Sequence, residues 1–378
     1  MTTNCIFLTG ATGTVGSALV PVLLQEPRTS VVALIRARDE GDLHRRACAM
    51  FDYWSWGPGD ERRARFKPLL GDVSLPKFGL AAREYAQLAQ ATTNIVHGAA
   101  SVKLNMPMDE ATRTAVLPTR NALALAREAA REGVLRKVEL VSTVGVWGRS
   151  AGVMPERALP EVRDFHNTYE AAKAEAERIV WAEAGGLPIT LHRPSMVVGD
   201  ALSGRVIHFQ VFYHLCEFLA GTRTYGIMPE LGVQRLDTTP VDWVSKAIAW
   251  SVRTPQSAGL ILHLCSGPTG SMQLCDLQQL VRAKWLADGR RVPRLRRVSA
   301  GLLARMVPAI GAIAGARVRR ALRGLPPVLA YLAEDQAFSN DETSAMLAAA
   351  DLPVPDVASY IGPVLDYYLE NTPPGARS

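Results

Sequence analysis

The chain has 378 residues, 48% of them hydrophobic, enough for one large domain or two unequal ones around a sizeable core. Its net charge of +6 suits anionic ligands such as phosphates, but no aromatic-interleaved basic run or recognition-helix pattern points to nucleic acid. The five cysteines (Cys5, Cys48, Cys216, Cys265, Cys275) form no C-x-x-C pair and no H-E-x-x-H occurs, which argues against a disulfide framework and any metal site and suggests a reducing, cytoplasmic setting.

Met1 leads directly into NCIFLTG, which reads as a strand rather than a signal peptide. CIFLT (5–9) is the first strand and VGSALVPVLLQE the first helix, which Pro21 should kink or shorten. VVALI (31–35), KPLLGDV, NIVHGAA, KVELVST and PITLHRP (188–194) supply five further strands between helical patterns. That alternation predicts an α/β fold, a Rossmann-type doubly wound parallel sheet with helices on both faces. After Gly199 helical and loop patterns dominate and proline becomes frequent; LILHLCS (260–266) should rejoin the sheet. The division expected is a nucleotide-binding unit over 1–200 and 237–266, and a smaller, mostly helical substrate-binding unit over 201–236 and 267–378. The most apolar later stretch, VPAIGAIAGA (307–316), is too short to span a bilayer and reads as a helix lining an acyl channel or as core.

TGATGTVGS (9–17) ends the first strand and opens the first helix. Gly10, Gly13 and Gly16, with Thr12 and Val15 between them, allow a tight turn and close approach of a pyrophosphate to the helix N-terminus. An NAD site usually ends the second strand with an acid; here the sequence is ALIRARDE, with Arg36 at that position and Arg38 beside it. A guanidinium suits a phosphate in charge and geometry, so NADP(H) is expected. The competing reading leaves these arginines solvated and Asp39 on the ribose. Asp72 and Val73 follow the third strand, where a carboxylate can hold the adenine amino group. Ala99 and Ala100 follow the fourth, where small residues let ribose and nicotinamide pass; His97 reads as a structural hydrogen-bonder.

The fifth strand ends in ELVSTVGVWG, placing Ser142 and Thr143 at the carboxyl end of a central strand. In HNTYEAAKAEAERIV, Tyr169 and Lys173 share one face of the next helix. The ammonium, near the cofactor ribose, would lower the phenol's pKa and let Tyr169 pass a proton to a substrate oxygen that Thr143 also binds. Pro194, at the end of the sixth strand, completes the cofactor set.

These motifs resemble those of the extended short-chain dehydrogenase/reductases. LIRARDEGDLHRRACAM, GDVSLPKFGL, HGAASVKLNMP, GLPITLHRPSMVVGD and TTPVDWVSKAI resemble, more narrowly, the thioester reductases, the terminal reductase domains of carboxylic acid reductases and nonribosomal peptide synthetases, with fatty acyl-CoA reductases as relatives. The resemblance spans about residues 5–265. It implies a catalytic triad of Thr143, Tyr169 and Lys173, with Thr143 preferred to Ser142, and Arg36 and Arg46 on the 2′-phosphate. It implies reduction of an acyl thioester on a carrier protein or CoA, arriving in trans, to an aldehyde and possibly on to an alcohol, with NADPH as reductant. Two departures stand out. The usual Asn-Val-x-Gly-Thr is here Ala115, Val116, Leu117, Pro118 and Thr119, and the usual Ser before the lysine is Ala172. The alternatives are an extended short-chain dehydrogenase or epimerase acting on a free carbonyl or alcohol, and a non-catalytic NADP sensor. The arginine run Arg290, Arg291, Arg294, Arg296 and Arg297 reads either as a solvated face or as a dock for an acidic carrier protein or CoA phosphates.

Overall fold

In the computed structural model, the strands in chain order are β1 (Asn4–Thr9), β2 (Thr29–Ile35), β3 (Phe66–Leu70), β4 (Asn94–His97), β5 (Lys137–Val141), β6 (Gly152–Met154), β7 (Ile189–Pro194), β8 (Met196–Val198), β9 (Ile227–Pro229), β10 (Arg235–Leu236), β11 (Thr238–Pro240), β12 (Ile261–Leu264), β13 (Met272–Gln273), β14 (Arg296–Val298) and β15 (Gln336–Phe338). The helices are α1 (Thr14–Leu23), α2 (Glu40–Trp54), α3 (Glu61–Arg65), α4 (Ala82–Ala91), α5 (Met108–Arg131), α6 (Thr168–Glu183), α7 (Val211–Leu219), α8 (Val241–Arg253), α9 (Gly267–Gly270) and α10 (Leu274–Ala287), followed by Asp341–Ala348 and Val357–Asn371. The structure describes residues 4–372 apart from 102, 105, 161–163, 232 and 299–335. The apolar stretch at 307–316 therefore lies outside the described residues.

Seven parallel strands form the central sheet in the order β12-β7-β5-β4-β1-β2-β3. Their cores are rich in Val, Ile and Leu because helices cover both faces. The strand order reverses between β1 and β4, and the crevice outside their carboxyl ends is where ligands bind in such sheets. Pro21 lies inside α1, which ends two residues later, at Leu23. Pro118 sits buried within α5, which is continuous from Met108 to Arg131.

The four two-stranded ribbons, β10–β13, β11–β8, β14–β9 and β15–β6, have no signal in the sequence, since two or three residues cannot display an alternation. A second apolar cluster, separate from those on the sheet, joins α7 (Phe212, Phe218), α10 (Leu277, Trp285) and the last helix (Tyr360, Leu365). The stretch from β15 to Val354, assigned by sequence to the second unit, instead packs on the sheet: Leu347 joins the core of β1, α1 and α8, and Trp243 Nε1 donates to the Leu352 carbonyl at 3.2 Å. A buried polar group ties β5, β7 and α8 together: Lys137 Nζ lies 3.2 Å from Glu139, which meets His192 Nε2 at 2.7 Å and accepts from Ser251 at 2.9 Å.

Candidate active site

Gly10, at φ +84°, closes the turn after β1; a Cβ there would lie 2.8 Å from the Gly98 and Ala99 backbone. A Cβ on Gly16 would overlap the Gly10 carbonyl. Gly13 is the residue before α1 and donates to the Gly10 carbonyl at 2.9 Å, while Thr12 and Val15 stand part-exposed around it. The cradle's small volume and the open N-terminus of α1 fit a pyrophosphate. Gln210 Nε2 donates to Thr14 Oγ1 at 2.8 Å, so the residue before α7 is fastened to this loop.

Beside the cradle, a cleft of about 450 Å³ is lined by Arg36, Leu70, Asp72, Leu75, Phe78 and Glu84, among others. Its size and its mixture of apolar walls with carboxylates, Asp72 among them, fit an adenosine. Asp72 accepts from the Ser74 amide at 2.8 Å and hydroxyl at 2.6 Å. Burial opposes its ionisation, yet those bonds and the Arg36 charge leave its pKa below the ordinary value. Val73 is not on the cleft wall; its carbonyl accepts from Asn121 Nδ2 at 2.8 Å.

At the β2–α2 corner, Asp39 accepts from the Asp42 amide at 2.8 Å and caps α2, so its near oxygen serves the helix. Asp42, only 4% exposed, gathers three arginines: Arg38 at 3.3 Å, Arg46 at 3.6 Å, and Arg45. Their guanidinium groups remain largely exposed, and Arg36, also exposed, faces the cleft. The corner thus presents a concentration of fixed donors suited to a phosphate.

The carboxyl ends of β4 and β5 meet α6. Lys173 Nζ donates to the Val141 carbonyl at 2.9 Å, two residues before Thr143. Thr143 Oγ1 accepts from the Gly145 amide at 3.2 Å and remains partly accessible. Ser142 is more deeply buried, and its hydroxyl has no hydrogen-bond partner among the described residues. Tyr169 stands one turn before Lys173, and its hydroxyl makes no hydrogen bond among the described residues, which leaves it available to a ligand. Ala99 donates to Thr9 Oγ1 at 3.2 Å, and the same hydroxyl meets His97 Nδ1 at 2.7 Å, which sets the path of Ala99 and Ala100. His97 is therefore structural; burial, then the Lys173 charge, pull its pKa down to about 3, so it is neutral. Pro194 is buried at the end of β7 opposite Leu264.

One electrostatic expectation is reversed. Burial, then the neighbouring Glu170 charge, push the Tyr169 phenol up to about 12 rather than down. Burial pulls Lys173 down to about 8, against the raising effect of Glu177. Desolvation disfavours both charged forms, and at this site it outweighs the attraction that i,i+4 spacing suggests.

Several supporting residues have no signature in the sequence. Glu177 pairs with the fully buried Arg193 through two bonds of 3.0 and 2.6 Å, and Arg193 in turn meets His263 Nε2 at 3.2 Å. Glu170 lies against Gly145 and meets His166 Nδ1 at 2.9 Å, joining the start of α6 to the Thr143 turn. Only an aligned set of relatives could flag these residues. Among the described residues no cluster could hold a metal ion, and no helix is long and apolar enough to cross a membrane.

Fold and site define an NAD(P)-dependent oxidoreductase of the extended short-chain dehydrogenase/reductase class. A family model described as male sterility protein matches residues 8–248, and the chain belongs to this family, as an extended short-chain reductase of the thioester reductase type. It is 28% identical over 270 residues to nonribosomal peptide synthetase asaC of Aspergillus flavus, covering 68% of this chain and 26% of that one. It is 31% identical over 256 residues to glycine betaine reductase ATRR of Emericella nidulans, covering 64% and 19%. The chain thus spans about a quarter or less of these relatives. The terminal R domain from the myxalamid PKS-NRPS pathway shares the fold with a TM-score of 0.82 at 24% identity, covering 98% of this chain and 92% of that one. A thiolation-reductase di-domain from an archaeal nonribosomal peptide synthetase does so at 0.74 and 17%, covering 97% and 75%.

Proposed function

We propose that this protein is an NADPH-dependent thioester reductase that releases an acyl chain from a carrier-protein or CoA thiol as an aldehyde. The observation that carries the reading is the bond from Lys173 to the Val141 carbonyl, two residues before Thr143, with Tyr169 one turn earlier on the same helix, beside a glycine cradle and an arginine-lined corner. Membership of a thioester-reductase family supports the substrate class, and the likeness to a thiolation-reductase di-domain supports a carrier-borne thioester.

Gly10, Gly13 and Gly16 would admit the pyrophosphate, the cleft at Asp72 the adenosine, and Arg36, Arg38 and Arg46 a 2′-phosphate. When bound, the reduced nicotinamide supplies hydride to the thioester carbonyl carbon. Thr143 and Tyr169 would donate hydrogen bonds to the carbonyl oxygen, where negative charge develops. Tyr169, protonated throughout the working range, then transfers its proton to that oxygen and yields a hemithioacetal. Lys173, fixed between Val141 and the Glu177 field, would neutralise the phenolate left behind and orient the ribose. Cleavage of the C–S bond, with a proton passing to sulfur, gives aldehyde and free thiol.

The test is NADPH oxidation with a panel of acyl-CoA and acyl-pantetheine thioesters. Tyr169→Phe keeps the ring and removes the donor, so the rate should fall at least about a hundredfold while NADPH still binds. Near-normal turnover of this variant, or consumption of free ketones and alcohols but no thioester, would sink the reading.

A further inference from the structure

A turn and ribbon on the second apolar cluster combine a strained residue with an uncovered surface. The turn runs from Gly221 (φ +81°) to Gly226 (φ +86°), whose amide donates to the Gly221 carbonyl at 2.9 Å. Both glycines are pressed against the Pro293–Leu295 strip; a Cβ on Gly226 would overlap the Arg294 carbonyl. Next to Gly226, Tyr225 has φ +54°, a left-handed conformation that bulky side chains rarely take. Its ring is 73% exposed and has no aromatic or hydrogen-bond partner among the described residues, so packing returns nothing for the strain. Such strain persists where a displayed side chain has a use.

Arginines lie along the adjoining strip and strand. Arg296 donates its amide to the Gly226 carbonyl at 2.7 Å as β14 pairs with β9. Arg291, Arg294, Arg296 and Arg297 are exposed and carry no ion pair among the described residues. Arg290 is different: it pairs with Asp288 at 2.6 Å and donates to the Leu369 carbonyl at 2.9 Å, so it holds the last helix and does not belong to the open patch. The exposed acid at the ribbon's end is Glu230, whose amide donates to the Val298 carbonyl at 3.3 Å. Tyrosine and arginine are the residue types that carry binding energy at interfaces, and the surplus of positive charge selects an acidic partner.

Position selects among acidic partners. Helix α7 begins beside Gln210, bonded to the cofactor cradle at Thr14, and ends two residues before the turn. Nine residues of α-helix rise ~13 Å. The ribbon therefore stands one short helix from the cradle, a separation that a phosphopantetheine arm can bridge. We infer that the Tyr225 turn and the β9–β14 ribbon are the surface on which an acidic acyl carrier protein seats, its pantetheine arm reaching back along α7 to the site. This rests on the thioester-reductase reading.

The experiment compares decanoyl-loaded acyl carrier protein, decanoyl-CoA and decanoyl-pantetheine as substrates of the wild type, Tyr225→Gly and the double variant Arg296→Glu/Arg297→Glu. Both variants should raise KM for the carrier-bound thioester by about tenfold or more, with decanoyl-pantetheine kinetics unchanged. Tyr225→Gly should also raise Tm by ~1–3 °C, because glycine relieves the left-handed strain. An unchanged KM for the carrier overturns the inference, as does an equal loss on all three substrates. Loss on carrier and CoA alike, with pantetheine spared, assigns the arginines to CoA phosphates and also overturns it. A lower Tm for Tyr225→Gly would make Tyr225 a structural residue and remove it from the surface. If the wild type prefers the carrier no more than pantetheine, docking here is wrong; if no thioester is reduced at all, the underlying thioester-reductase reading has failed instead.

Discussion

Tyr169 and Lys173 share one helical face, yet burial moves their proton affinities in opposite directions, to about 12 and about 8. The folded value of Lys173 lies below its ordinary 10.5, so between about 8 and 10.5 the unfolded chain binds more protons than the folded one. Stability contributed by this residue therefore rises with pH across that window, by ~3 kcal/mol at the limit. Activity should run the other way. The phenol keeps its proton far above neutrality, so loss of the Lys173 charge comes first, and kcat/KM should fall as pH passes about 8. Lys173→Arg cannot lose its charge in this range and should flatten that basic limb of whatever rate remains. A limb that stays near 8 in Lys173→Arg, or a wild-type limb above 10, would assign the titration to another group.

The β2–α2 corner shows what kind of element can be read from a sequence and what kind cannot. The glycine cradle is legible because each glycine marks a place where a Cβ meets backbone, and Tyr-x-x-x-Lys is legible because helical spacing alone sets that pair on one face. The two aspartates of RARDEGD are not distinguishable: nothing in the pattern separates them, and only the fold shows that Asp39 caps α2 while Asp42 is buried and gathers Arg38, Arg45 and Arg46. Glu177 and Arg193 sit on a helix and a strand with no fixed offset, so their pairing has no local signal. Neither does the depth of a phenol, which is why helical spacing alone gives the Tyr169 shift the wrong sign. At this corner Arg36 faces the cleft at Asp72, and Arg38 and Arg46 stand on the Asp42 anchor. Arg36→Ala should narrow the preference for NADPH over NADH by about tenfold, or ~1.4 kcal/mol, read as the ratio of dissociation constants. Equal affinity of the wild type for the two cofactors would refute the role of the corner.

At the scale of the molecule, the chain leaves the sheet after β7, returns at β12, and packs against its core again after β15, through Leu347 to Val354. Glu156 fastens that last return. Its carboxylate accepts from the Glu342 amide at 2.8 Å and the His263 amide at 3.3 Å, and from the Thr343 amide and hydroxyl. Glu156→Ala would remove the acceptor shared by β12 and the Asp341–Ala348 helix, leaving the buried Thr343 amide and hydroxyl without it, and should cost roughly 2–4 kcal/mol, measured by urea unfolding. A change below about 0.5 kcal/mol would show that water replaces the carboxylate without loss.

This threading has a consequence for how the protein can be recombined. Two relatives cannot exchange the second apolar cluster through one crossover beyond β12, because everything downstream includes the strip from β15 to Val354 that packs on the other parent's sheet core. Leu347, Thr343 and the Leu352 carbonyl would then meet a foreign Trp243, His263 and Glu156. A working chimera needs two cassettes, cut so that this strip stays with the parent that supplies the sheet. Inheritance of that cluster is therefore discontinuous along the gene, and variation that is confined to the tail is constrained by residues far upstream.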